Sequence, residues 1–142
     1  AFFGWSAARG AILTQNNLQR RGFVMVNRCC MCFEGLESVD HLLLHCRVAG
    51  ELWSLLMNLF GMFWTMPRSV KDLFGCWWGV RIRKYAKAIW RMAPLCLFWS
   101  VWKERNRRTF DGVEMPMYRF KDSFLHLLYF WAKGDIPVNV DS

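Results

Sequence analysis

The stretch Arg28-Cys29-Cys30-Met31-Cys32-Phe33-Glu34-Gly35-Leu36-Glu37-Ser38-Val39-Asp40-His41-Leu42-Leu43-Leu44-His45-Cys46 decides how this chain is read. Cys29, Cys32, His41 and Cys46 follow the spacing C-x2-C-x8-H-x4-C, which places three thiols and an imidazole within 18 residues. Two thiolates separated by two residues grip one metal ion from a single tight turn. A histidine and a cysteine five positions apart return from the end of a short helix to close a tetrahedron. Four soft or borderline ligands with no open position describe one structural Zn2+. Four buried or free cysteines beside a surface histidine are the plain alternative, and the compact spacing argues against it.

Neighbouring residues qualify the set. Cys30 competes with Cys29, but C-x-C is a poorer chelate loop than C-x-x-C, so Cys29 and Cys32 are the expected pair. His45 shares a helical face with His41, and the sequence leaves the choice between them open. Gly35 is expected to let the chain turn back after the thiolates. Ser38 is placed to cap a short helix carrying His41 and the Leu42–Leu44 run.

A wider set of residues resembles a known family. Phe3-Gly4-Trp5 with Ala7-Ala8 precedes Ile12-Leu13-Thr14, Asn17-Leu18 and Arg20-Arg21-Gly22. The metal stretch follows, with Glu37-Ser38 and His41-Leu42-Leu43, then Leu52-Trp53, then Trp99-x-x-Trp102-Lys103-Glu104-Arg105-Asn106-Arg107-Arg108. In order and spacing these resemble the zinc-binding domain that follows the polymerase in plant non-LTR retrotransposon reverse transcriptases. The resemblance runs from about residue 2 to about residue 110. It implies a non-catalytic accessory module beside an RNA-directed DNA polymerase domain, holding template RNA or target DNA. On this reading residues 1–110 form the zinc-binding domain, and residues 111–142 add a helix and a loose tail.

The composition sets bounds. The 142 residues suffice for one domain. A start at Ala1 inside an aromatic run reads as a piece of a longer chain. Hydrophobic residues make up 54% and nine are Trp, which predicts a crowded core or an apolar face made for a neighbour. No apolar run approaches the roughly 18 residues of a membrane span; Met92–Trp102 is the most apolar and is too short. No signal peptide is visible. Six cysteines suit three disulfides in a secreted chain, but the metal spacing points to a reducing compartment, cytoplasm or nucleus.

Charge is concentrated in one segment. The net formal charge is +8. Arg81, Arg83, Lys84, Lys87, Arg91, Lys103, Arg105, Arg107 and Arg108 lie within 28 residues whose single acid is Glu104. Such placement predicts a polyanionic partner, RNA or DNA, bound mainly through phosphates. The plain alternative is two solvated helix faces.

The periodicity predicts a mainly α fold, a small helical domain with a zinc-knuckle-like loop. Residues 2–10 read as a helix end. Thr14 caps a helix ending at Arg21, and residues 23–26 read as extended. A helix over 47–60 carries Val48, Leu52, Leu55, Leu56 and Leu59 inward and stops at Gly61, with Trp53 packing on the metal loop. Ser69 and Asp72 form a capping arrangement for a short helix to about Trp78. A helix over 81–92 is expected to bury Ile82, Tyr85, Ala86 and Ile89. Pro94 then breaks or kinks the chain, or opens the next helix at its first turn; that helix carries Leu95, Phe98, Trp99, Trp102 and Phe110 on one face. Asn106 on that face is expected to bond a backbone group. Pro116 starts a last helix with Phe120, Phe124, Leu127, Leu128 and Trp131 inward, and Gly134 ends it.

Catalytic constellations are missing from the sequence. The 11 acids stand singly, unlike the clustered carboxylates that share divalent metals in polymerase or RNase H sites. No Gly-rich phosphate loop is present, and Cys76, Cys96 and His126 read as core or surface residues. No small-molecule substrate is expected. Two functions remain: a nucleic-acid-binding module, or a scaffold that packs on the polymerase or a following domain with zinc as a staple.

Overall fold

The structure is a computed structural model that describes Ile12, residues 14–22 and residues 27–134. The expected helix end at 2–10, the extended segment at 23–26 and the tail from Asp135 lie outside the described residues, as do Phe2, Phe3 and Trp5. Five α-helices are described: α1 (Gln15–Arg20), α2 (Arg47–Phe60), α3 (Val70–Trp77), α4 (Lys87–Asn106) and α5 (Met117–Ala132). Single π-helical turns occupy His41–His45 and Arg107–Asp111, and a 3-10 turn occupies Lys84–Ala86. No strand occurs among the described residues. The fold is mainly α, as the periodicity predicts.

Local signals account for most boundaries. Val48, Leu52 and Leu56 of α2 are buried, whereas Leu59 at the end of the expected stripe is exposed. Gly61 takes the left-handed conformation (φ 63°), and Met62 N donates to Met57 O at 3.0 Å, closing the end of α2. The Trp53 indole donates to Leu43 O at 2.8 Å, joining α2 to the turn that carries His41. Ser69 Oγ accepts from Asp72 N at 3.1 Å and caps α3. Asp40 Oδ1 accepts from Val70 N at 3.0 Å, so α3 starts pinned to the metal stretch.

Of the outcomes expected at Pro94, neither a break nor the start of a new helix occurs. One helix, α4, runs from Lys87 through Pro94 to Asn106. Residues 81–83 are not helical, and Tyr85 is exposed rather than buried. A proline inside a helix removes the bond to the carbonyl four residues back and costs roughly 3 kcal/mol. Here that carbonyl belongs to Trp90, and the Trp77 indole donates to it at 2.7 Å. Trp90 in turn donates to Trp77 O at 2.9 Å, and the two rings stack at 3.8 Å with 6° between planes. Trp78 Nε1 donates to Arg91 O at 3.2 Å, supplying a donor to the next carbonyl. Three bonds between α4 and the end of α3 therefore offset the proline.

The expected face of α4 is only partly the buried one: Phe98 is buried, Leu95, Trp99 and Trp102 are half-buried, and Cys96, Leu97 and Val101 fill the core instead. The widened turn at Arg107–Asp111 rotates Phe110 out to solvent. Gly112, at φ 65°, then ends the turn, near the expected stop. Asn106 Oδ1 accepts from the Arg105 guanidinium at 2.8 Å, a side-chain donor in addition to any backbone bond. Helix α5 packs on α4 and α2. It buries Phe120, Phe124, Leu128 and Trp131, while Leu127 stays half-buried and Gly134 (φ 82°) follows its end. Lys121 pairs with Glu51 of α2 at 3.0 Å. The core joins the metal stretch to all the later helices, and much of it is aromatic: Trp53, Trp77, Trp90 and Phe98 are all buried in it.

Candidate metal centre

Residues 29–35 close on themselves through two backbone bonds. Cys29 N donates to Gly35 O at 2.7 Å, and Phe33 N donates to Cys29 O at 2.8 Å. The left-handed residue that turns the chain is Phe33 (φ 62°), not Gly35. Gly35 matters for a different reason. A Cβ there would lie 3.1 Å from His41 Cε1 and 3.4 Å from Nδ1, so a hydrogen side chain is what lets the imidazole approach. Glu34 N donates to Cys32 Sγ at 3.4 Å. Ser38 Oγ accepts from His41 N at 3.1 Å, capping the turn as expected.

This frame brings the four expected ligands together. Their donor atoms all lie within 4.8 Å of one another. Cys29 and Cys46 Sγ are 3.8 Å apart, and Cys32 Sγ is 3.3 Å from His41 Nε2. Tetrahedral zinc with ordinary bond lengths requires edges of about 3.8 Å between sulfurs and about 3.6 Å from sulfur to nitrogen. The donor set therefore fits one zinc ion. The three cysteines are buried and His41 half-buried, which describes a closed, structural centre. His45 is exposed with Nε2 3.2 Å from Arg68 O, away from the cluster. Cys30 turns away to Thr109 Oγ1 at 3.4 Å. Geometry thus makes the choice between His41 and His45 that spacing left open, and keeps the expected Cys29–Cys32 pair.

The thiols interact before any metal is considered. The hydrogen bond with Cys46 and burial push the Cys29 thiol up to about 12. The same bond lowers Cys46. Zinc must displace the protons of its cysteine ligands, so affinity rises with pH.

A support that sequence reasoning missed lies behind the loop. Glu37 is fully buried and receives Arg105 of α4 through three contacts: Nη2 to Oε1 at 2.8 Å, and Nε to both oxygens at 3.2 and 3.1 Å. Gln15 N of α1 donates to Oε1 of the same carboxylate at 2.7 Å. Glu37 N donates to Asn27 Oδ1 at 2.9 Å. One carboxylate therefore links α1, the metal loop and α4. A signal for it existed. Phe98, Val101 and Arg105 follow i, i+3, i+7 on the buried face of α4, and a cation on an apolar stripe requires a buried counter-ion.

The nine cations separate into two groups. Arg105 is 2% exposed and committed to Glu37, so its expected phosphate contact is corrected: it is a structural residue. Glu104, also buried, pairs with Arg107 and Arg108 and accepts from Met115 N at 2.9 Å. Arg108 further donates to Met31 O at 3.2 Å, between the two thiolates of the C-x-x-C turn. Arg81, Arg83, Lys84, Lys87, Arg91 and Lys103 are exposed and form no ion pair with any described residue. Burial and Arg107 lower the Lys103 ammonium, which also sits 6.0 Å from the Trp99 ring.

The geometry defines a structural zinc centre of the Cys3His type. Residues 1–53, which include all four ligands, match a family model described as zinc-binding in reverse transcriptase. That portion is similar to an accessory zinc-binding domain rather than to a catalytic one. No curated protein and no solved structure matches the chain. No helix among the described residues is long and apolar enough to cross a membrane.

Proposed function

We propose that this chain is a zinc-stabilised, nucleic-acid-binding accessory module of a retrotransposon reverse transcriptase of the plant non-LTR kind. It performs no chemistry itself. It holds template RNA or target DNA near the polymerase domain of its parent polypeptide, in a reducing compartment. One observation carries the binding reading: five cations, Arg81, Arg83, Lys84, Lys87 and Arg91, are exposed within eleven residues. The sequence has no acid between Asp72 and Glu104. A field of one sign on one segment attracts phosphates and releases counterions.

The scaffold reading draws on a different observation. Arg105, Arg107 and Arg108 are bound to Glu37 and Glu104, so that end of α4 is internal structure. The two readings part in a salt series. The zinc-loaded chain should bind RNA and DNA with affinity that falls steeply with salt and varies little with sequence. Replacing Arg81, Arg83, Lys84 and Lys87 with Ala should flatten the salt slope by about 3. A folded fourfold variant that binds as tightly as the parent replaces the nucleic-acid reading with the scaffold.

A further inference from the structure

The cationic segment also forms one wall of a groove. Residues 81–89, the end of α2 and Leu125, Leu128 and Tyr129 of α5 line an open space of about 930 Å³. Ile82 and Ile89 contribute apolar surface to it, and Tyr85 and Tyr129 line it with 78% and 56% of their surface exposed. Arg81 and Arg83 line it as well, and no acidic side chain among the described residues does. Arg83 Nη1 lies 3.4 Å from the Tyr85 hydroxyl, and Lys133 Nζ is 4.9 Å from the Tyr129 ring centroid. Each tyrosine thus has a cation beside it.

We propose that this groove seats unpaired bases of a single nucleic-acid strand. Arg81 and Arg83 take its phosphates, and Tyr85 and Tyr129 offer their ring faces to its bases. The inference rests on the nucleic-acid reading above and narrows it to single strands. A duplex hides its base faces and gains only the cations. Its phosphodiester backbone gains nothing from Ile82 and Ile89. A single strand uses both parts, because every base has a ring face and stacking tolerates any sequence. Arg81 and Arg83 beside Ile82 and Ile89, with no acid among the described lining residues, make the groove complementary to an anion with apolar attachments, which is what an unstacked strand presents.

The test compares a 12-nucleotide oligo-uridine strand with a 12-base-pair duplex on the zinc-loaded chain, by fluorescence anisotropy at fixed salt. Tyr85→Ala and Tyr129→Ala should each weaken the strand by about 5-fold to 150-fold and leave the duplex unchanged. Tyr85→Phe should retain strand binding. Arg81→Ala with Arg83→Ala should weaken both ligands. Both tyrosines are exposed, and an unchanged thermal melt checks that the variants fold. If the arginine pair weakens both ligands and the tyrosines alter neither, the base seat is wrong while the nucleic-acid reading stands. If neither class of variant changes binding, the strand lies elsewhere and the inference falls; if the parent chain binds neither ligand, both readings fall. A Glu- and Leu-containing amphipathic helical peptide that displaces the strand and binds more tightly than it overturns the inference in favour of a protein partner.

Discussion

The buried Glu37–Arg105 pair allows a quantitative test of what holds the metal loop against α4. Glu37 is fully buried and Arg105 is 2% exposed. Glu37→Ala strands a guanidinium that had three carboxylate contacts and leaves Gln15 N without its acceptor. Breaking such a pair from one side costs roughly 3–5 kcal/mol, or about 10–20 °C of melting temperature at this chain length. Glu37→Met together with Arg105→Leu removes both charges and keeps apolar volume, leaving chiefly the Gln15 amide unpaired, which costs roughly 1–3 kcal/mol. The double variant should therefore be more stable than Glu37→Ala alone, by about 2 kcal/mol. Urea unfolding of the zinc-loaded proteins, followed by tryptophan fluorescence, measures each difference. A double variant no more stable than the single one would refute the reasoning, because the pair would then be a favourable interaction in itself rather than two charges that must not be separated.

Two other outcomes follow from particular atoms. Gly35→Ala places a methyl 3.1 Å from His41 Cε1, so the ring must shift and zinc affinity should drop by roughly tenfold, measured by competition with a chromogenic chelator; an unchanged affinity would show that the ring has room. Burial raises the Cys96 thiol from 9.0 to about 12. Between those values the unfolded chain ionises it and the folded chain does not, so its contribution is whole below pH 9 and declines above it by about 1.4 kcal/mol per pH unit. Cys96→Ala should flatten the alkaline loss of stability in urea titrations from pH 9 to 11, and an equal slope would refute the assignment.

Sequence legibility tracked the range of each interaction. The ligand set, the span of α2, the Ser69 cap and the buried face of α5 depend on residues within a few positions of one another, and spacing revealed them. Glu37 and Arg105 are 68 residues apart, so the charge count took a structural arginine for a surface one. Pro94 reads as a break, a kink or a helix start because its missing hydrogen bond is local, whereas the replacement comes from Trp77 on another element. Phe110 left its face because the helix widened after Asn106, a change of register that a fixed period does not register. Gly35 was identified as important for the wrong reason: a turn needs a torsion angle, and here the need is space beside an imidazole.

The exchanged bonds between Trp77 and Trp90 also determine how the molecule comes apart. A helix that supplies all its own hydrogen bonds frays from its ends. In α4 the carbonyls of Trp90 and Arg91 are held by indoles from α3 and its end, so the first two turns of α4 are complete only while α3 is docked. Amide hydrogens around Lys87–Arg91 should then exchange at the rate of α3 rather than of the turns after Pro94, and the boundary between opening units crosses a continuous helix at its proline. The turns before that boundary carry Lys87 and Arg91, and the segment leading into them carries Arg81, Arg83 and Lys84. Loosening α3, at a site that bears none of these charges, would release the register of the cations farther along the chain.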